Sequence, residues 1–262
     1  MKFSGLMNSA VADGHALSVD VGEDWLQGRS VFGGLQAALM LAAMRRLVPA
    51  ALPLRTLQVT FIAPIGAGTL RAQATLLRTG KSAMHVQAVL ADPAGATLCL
   101  AAAVFGASRE SQVRVTPQRP AIPGGTPIDF RYVQGLTPNF TRHYSMRWLL
   151  GNVPFSGTPG ERAVIEVGVH DDGAASEGHL LGIADVIPPV ALSRFRQPVF
   201  GSSLTWAIDF LLDRYDTQPL TGWRLDAELV GARDGYTSQD VHVWAPDGQL
   251  AALSRQCMVV FG

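Results

Sequence analysis

The chain has 262 residues, enough for two small domains or one larger one with a substantial core. Its 21 basic and 21 acidic side chains cancel, so no net charge draws it to nucleic acid or to an anionic membrane. Charged residues are only 16% and hydrophobic residues 48%, a balance that implies extensive burial and leaves room for subunit contacts.

In chain order, Met1 to Gly14 lacks the continuous apolar core of a signal peptide. His15 to Val21 is a candidate strand. Gly33 to Met44 is rich in good helix formers and apolar around nearly its whole circumference, so it predicts a helix buried on most sides, with Pro49 marking the exit. Its most apolar part, Leu35 to Met44, is interrupted by Gln36 and falls short of the about 20 residues that span a bilayer. Thr56 to Ala63 reads as a strand. Thr69 to Leu76 alternates cleanly, with Leu70, Ala72, Ala74 and Leu76 on one face. Met84, Val86, Ala88 and Leu90 continue the alternation, Asp92-Pro93-Ala94-Gly95 supplies a turn, and Thr97 to Phe105 is a further apolar run. One strand, a buried helix and an antiparallel meander is the element order of the hotdog fold, in which a sheet curls around a central helix.

Pro117, Pro120, Pro123 and Pro127, with Gly124-Gly125, mark a linker. The expected division is an N-terminal unit over 1–112, a linker over 113–130 and a C-terminal unit over 131–262. The second unit repeats the first. An offset of 153 pairs Arg71 with Arg224, Ala74 with Ala227, Leu76 with Leu229, Pro93 with Pro246, Gly95 with Gly248 and Leu100 with Leu253. Phe61 pairs with Phe210 at an offset of 149, so the following loop is longer in the second copy. Ala163 to Val169 is the candidate opening strand, and Ser176 a candidate cap for a helix over Glu177 to Ile187 that Pro188-Pro189 would stop. The fold class expected is α+β, a double hotdog of two fused repeats.

A duplicated fold needs its core twice but an active site only once, so polar residues present in one copy alone carry weight. Asp185 sits in the apolar segment Leu181 to Ile187 near a predicted helix end. Lost hydration and the negative end of the helix dipole would both raise its pKa, as suits a general base. An Asp turned to solvent, or capping the Pro-Pro turn, is the plainer reading. Gln256 falls where the first copy has Ala103, and its amide is suited to orienting water or a carbonyl. An outward-facing strand position is the plainer reading for Gln256 taken alone. Ser203 and Thr205, two apart on a predicted strand, would share a face and offer hydroxyls, or make ordinary hydrogen bonds.

These residues resemble the thioesterase-like double hotdog family that includes bacterial acyl-CoA thioesterase II. The likeness runs through Val31-Phe32-Gly33-Gly34, Leu57 to Pro64 and Leu77 to Ser82. It continues through Gly182 to Asp185, Ser203 to Phe210, Pro246-Asp247-Gly248 and Ser254-Arg255-Gln256. It implies an acyl-CoA thioesterase in which Asp185, Ser203 and Gln256 activate water against a thioester carbonyl, with Thr205 as the alternative hydroxyl. Serine stands where the best-known member has threonine, and Pro188-Pro189 also departs from that member. Gly33 and Gly34 are candidates for the oxyanion or pocket. Arg78 and Lys81 are candidates for CoA phosphates, or are simply solvated charges.

Other chemistries fit poorly. There is no Gly-Xaa-Ser-Xaa-Gly elbow. The six histidines lack metal-ligand spacing, and His170-Asp171-Asp172 reads as an exposed turn, so no metal is expected. Gly33-Gly34 lacks a dinucleotide fingerprint, and no cofactor is expected. Two cysteines, Cys99 and Cys257, suit a reduced, cytoplasmic setting. A non-catalytic acyl-CoA carrier and a hotdog enoyl-CoA hydratase remain alternatives. The fused units should resemble a dimer of single hotdogs, and a homo-oligomer of such subunits is left open.

Overall fold

A computed structural model describes residues 1–261. The elements, in order, are α1 (Phe3–Asn8), β1 (Val11–Asp13), β2 (Ala16–Val21), β3 (Leu26–Gln27), β4 (Ser30–Val31), α2 (Gly33–Arg45), β5 (Leu54–Phe61), β6 (Gly68–Thr79), β7 (Ala83–Ala91) and β8 (Thr97–Gly106). Then follow β9 (Ile128–Phe130), β10 (Tyr144–Leu150), β11 (Arg162–Val169), α3 (Glu177–Asp185), β12 (Phe200–Phe210), β13 (Trp223–Arg233), β14 (Tyr236–Trp244) and β15 (Leu250–Phe261). None of these helices is long and apolar enough to cross a membrane.

Thirteen strands form one sheet in the order β1-β2-β6-β7-β8-β5-β12-β15-β14-β13-β11-β10-β9. From β2 to β5 and from β11 to β12 the sequence of strands is the same, so the fold is a double hotdog. The halves join by antiparallel pairing of β5 with β12, from Thr56 opposite Asp209 to Thr60 opposite Thr205.

The repeat holds residue by residue. Arg71 faces Ala91 as Arg224 faces Trp244, and both pairs of strands carry a bulge at the same place, Leu76/Arg78 and Leu229/Gly231. A second matched bulge lies at Leu90/Ala91 and Val243/Trp244, and a third at Leu54/Thr56 and Ser203/Thr205. Irregularities copied this faithfully are inherited features of one ancestral unit, because a bulge alters twist and re-aims side chains.

The chain between residues 107 and 127 forms neither helix nor strand, and β9 occupies the end of the expected linker. The helix α1, the strand β10 and the short strands β1, β3, β4 and β9 had no signal in the periodicity. Near α1, the His170-Asp171-Asp172 turn departs from expectation: the Asp171 carboxylate is buried and takes the Ser4 backbone N–H at 2.5 Å, with His179 Nε2 3.1 Å away. His179 Nδ1 lies 2.8 Å from Ser176 Oγ, which also accepts the His179 N–H and caps α3. The helix stops at Asp185, two residues before the expected Ile187, since the residue ahead of Pro188 disfavours helical geometry.

The helix α2 is buried on nearly all sides, and its one awkward residue is satisfied: Gln36 Nε2 donates to the Val31 carbonyl at 2.6 Å. It crosses α3 at very short range. A methyl group on Gly34 would lie 2.9 Å from the Gly182 Cα and 2.8 Å from the Phe32 ring, and one on Gly182 would collide with the Tyr144 hydroxyl. Alanine at Gly34 would gain about 1 kcal/mol of helix propensity but incur about 1–3 kcal/mol of overpacking against backbone that cannot yield. Overpacking wins. Gly34→Ala should therefore lower the melting temperature by about 2–8 °C in calorimetry; an unchanged or raised value would show that the crossing is looser than described.

Candidate active site

Asp185 ends α3, where it would ordinarily meet the negative end of its own helix dipole. The close crossing instead sets it on the N terminus of α2. Its Oδ2 lies 2.8 Å from the place a Gly33 side chain would occupy, and the nearby Gly34 backbone N–H draws its pKa down. The ring of Phe61 closes the other side of that place at 3.1 Å. Gly33 is thus required by close approach, since any Cβ would displace Asp185 or Phe61.

The inner face of β15 supplies the second group. Gln256 is 6% exposed, and its Nε2 donates to Asp185 Oδ1 at 2.5 Å. The remaining amide atom, Oε1, accepts from Ser203 Oγ at 3.5 Å, a long contact. The three side chains form one chain, hydroxyl to amide to carboxylate. Some surface of Asp185 stays accessible, but its surroundings strip most of the hydration from the carboxylate. Burial is the largest cause and pushes its pKa up to about 7, against the opposing pull of the Gln256 and Gly34 donors. Burial, and then the charges of Asp185 and Asp171, also raise the Tyr144 phenol, which stays protonated over Gly182.

Thr205 does not share a face with Ser203. The bulge between them shifts the alternation by one residue, so Ser203 is level with Met258 on the inner face while Thr205 pairs with Cys257 and is exposed on the outer one. The alternative hydroxyl therefore points away from Asp185.

Arg78 and Lys81 do not lie beside the Asp185 group. Their hairpin joins β6 to β7 beside Phe105 and Leu54, whereas the site lies near Phe61 and Ser203. The six residue steps along β5 from Leu54 to Thr60 put about 20 Å of strand between the two. By the repeat register the hairpin at the site end is the one around Asp234.

The equivalent position in the first copy is closed. The helices are related as Gly34 against Gly182 and Gly178 against Ala38, which makes Leu41 the counterpart of Asp185. Ala103 and Leu54 replace Gln256 and Ser203 in the strand register. In place of an open glycine, Glu177 binds Arg45, with Arg45 Nε 2.8 Å from Oε2, and the Phe3 ring lies over Gly178.

Two polar residues near the site carried no weight in the sequence reading. Gln239, 1% exposed, lies opposite Gln256 on β14, and its Oε1 accepts the Val190 N–H at 2.7 Å. It thereby holds the turn Val190–Arg194 that follows Pro188-Pro189. Thr237, two residues away on the same inner face, is 5% exposed. The repeat register would have flagged both, because their counterparts are Val86 and Met84.

Two family matches cover most of the chain: an acyl-CoA thioesterase N-terminal domain over residues 21–106 and an acyl-CoA thioesterase C-terminal domain over 112–260. No functionally curated protein sequence matches. Among solved structures, a hot dog fold protein of unknown function from Alicyclobacillus acidocaldarius is 24% identical with a TM-score of 0.85, covering 97% of this chain and 96% of its own. A putative thioesterase II from Thermobifida fusca is 16% identical with a TM-score of 0.82, covering 100% and 98%. A tesB protein from Mycobacterium avium subsp. paratuberculosis is 12% identical with a TM-score of 0.79, covering all of both chains. With both domains matched in order along the sequence, this chain belongs to the acyl-CoA thioesterase family.

Proposed function

We propose that the chain hydrolyses an acyl-CoA to a carboxylic acid and CoA, using Asp185, Gln256 and Ser203 to activate a water molecule. The observation that carries this reading is the placement of Asp185: a carboxylate poised near neutrality, 2.5 Å from Gln256 and beside the first N–H groups of α2. Those N–H groups have no acceptor within the helix, so a carbonyl oxygen can take them.

In the proposed reaction Asp185, ionised, takes a proton from water held at its Oδ2 while Gln256 occupies Oδ1, and the oxygen attacks the thioester carbon. The carbonyl oxygen gains the negative charge and is stabilised by the N–H groups at Gly33 and Gly34. Loss of one such donor typically lowers rate by about 100- to 1,000-fold. Collapse of the intermediate breaks the C–S bond, and the departing thiolate takes the proton from Asp185. Ser203 keeps the Gln256 carbonyl occupied, which directs the amide N–H2 at the carboxylate.

Thiol release from acyl-CoAs tests the reading. Asp185→Asn should lose at least about 100-fold in kcat, with crotonyl-CoA hydration absent in both proteins; full activity in the variant would sink it. Because Asp185 must be ionised, kcat/KM of the wild type should rise with pH and level off above an apparent pKa of about 7. Ser203→Ala should reduce the rate while Thr205→Val leaves it alone, and the opposite order would restore the alternative hydroxyl.

The same shift predicts a stability effect. The unfolded chain ionises Asp185 near 3.8 and the folded chain near 7, so folding holds an extra proton between those values. Stability from this group is present below about pH 4 and declines as pH rises to about 7. Asp185→Asn should therefore be more stable than the wild type at pH 8, by about 1–4 kcal/mol, with the gap closing toward pH 4. A variant less stable at pH 8 would mean that the carboxylate is better solvated than its packing indicates.

A further inference from the structure

The inner face of the second half differs from that of the first in one consistent respect. At corresponding positions the first half has Leu54, Met84, Val86, Ala101 and Ala103, and the second has Ser203, Thr237, Gln239, Ser254 and Gln256. Five apolar positions have become polar. Four of the five replacements have a partner within the chain. Ser203 and Gln256 bond each other, Gln239 takes the Val190 N–H, and Ser254 Oγ takes the indole N–H of Trp206 at 2.8 Å.

Thr237 has none. Its hydroxyl is buried without any hydrogen-bond partner among the described residues, on an inner face where Met84 does the same packing in the other copy. A buried hydroxyl left unpaired is costly, and an apolar residue of similar size would remove the cost. Its position relates it to the site. Thr237 lies opposite Met258, which lies opposite Ser203, so the three form one row across β12, β15 and β14. One strand spacing and two residues separate it from Gln256, about 8 Å. It stands on the side of Gln256 away from β5 and α2, where the proposed oxyanion donors are. A thioester whose carbonyl oxygen is on α2 would carry its acyl group past Gln256 in the direction of Thr237.

We propose that Thr237 hydrogen-bonds a polar group on the acyl chain, so that the preferred substrates are hydroxyacyl- or oxoacyl-CoAs rather than plain alkanoyl-CoAs. This rests on the thioesterase reading of the site. A threonine hydroxyl both donates and accepts, so it suits a hydroxyl or a keto oxygen several bonds beyond the carbonyl carbon.

The test compares hexanoyl-CoA with hexanoyl-CoAs carrying a hydroxyl at positions 3 to 6, which hold the CoA portion constant. For one position the wild type should favour the hydroxylated substrate by about tenfold in kcat/KM. Thr237→Val should bring the pair to parity, and Thr237→Ser should restore the preference. A wild type without preference at any position would overturn the inference, as would a Thr237→Val loss equal on both members of each pair, which marks a structural or pantetheine-facing hydroxyl. Equilibrium binding of the same CoA thioesters to Asp185→Asn separates this from the parent reading. Preferential binding of a hydroxyacyl-CoA without wild-type turnover keeps the inference and removes the hydrolase; turnover without preference does the reverse. Failure to bind any of them overturns both.

Discussion

Gly34 and Gly182 bear no side chains where α2 crosses α3, and the two backbones come into contact there. That contact sets the spacing between the halves on the inner side of the sheet. It also decides what Asp185 faces. Three residues beyond Gly182, the carboxylate is brought beside the N terminus of α2, although it belongs to the end of a different helix in a different repeat. Wider separation by one methyl group would pull the acid away from its donors and open the space that raises its pKa. The site is therefore a property of the crossing, and neither half contains it alone.

Duplication explains how one copy was freed to do this. The sheet is built twice to the same register, bulges included, so the packing frame does not depend on which copy carries polar groups. In the first copy the inner face stays apolar, and the matching helix start is closed by the Arg45–Glu177 pair and Phe3. In the second, each polar group is enclosed by residues that the frame already holds in place. A carboxylate with a raised pKa costs stability, and a large core shared between two repeats can offset that cost.

Much of this was legible from patterns that act locally. Alternation placed the meanders, and the offsets of 153 and 149 matched the observed strand registers residue for residue. A lone carboxylate in an apolar helix end singled out Asp185 because burial of charge is costly wherever it occurs. What escaped was everything decided between distant segments. The bulge that turns Thr205 outward exists only in the pairing of β12 with β15 and β5. The dipole of α3 was visible from the sequence, but the opposing donors of α2 were not, since nothing local brings residue 34 to residue 185. How far Arg78 and Lys81 lie from Asp185 was equally hidden, because it is the antiparallel junction of β5 with β12 that puts their hairpin at the far end of the strand. Asp171 read as an exposed turn because its partners, Ser4 and His179, come from two other elements.

The central claim is that one composite site, made from α2 of the first half and α3 and β15 of the second, holds the thioester carbonyl. A crystal structure with a hydrolysis-resistant analogue, an acyl-CoA in which a methylene replaces the thioester sulfur, tests it most directly. The account predicts one analogue per chain, with its carbonyl oxygen within hydrogen-bond reach of the Gly33 and Gly34 N–H groups and its carbonyl carbon facing Asp185 and Gln256. An analogue whose carbonyl sits at Gly178 beside Leu41, or anywhere out of reach of Asp185, would contradict it.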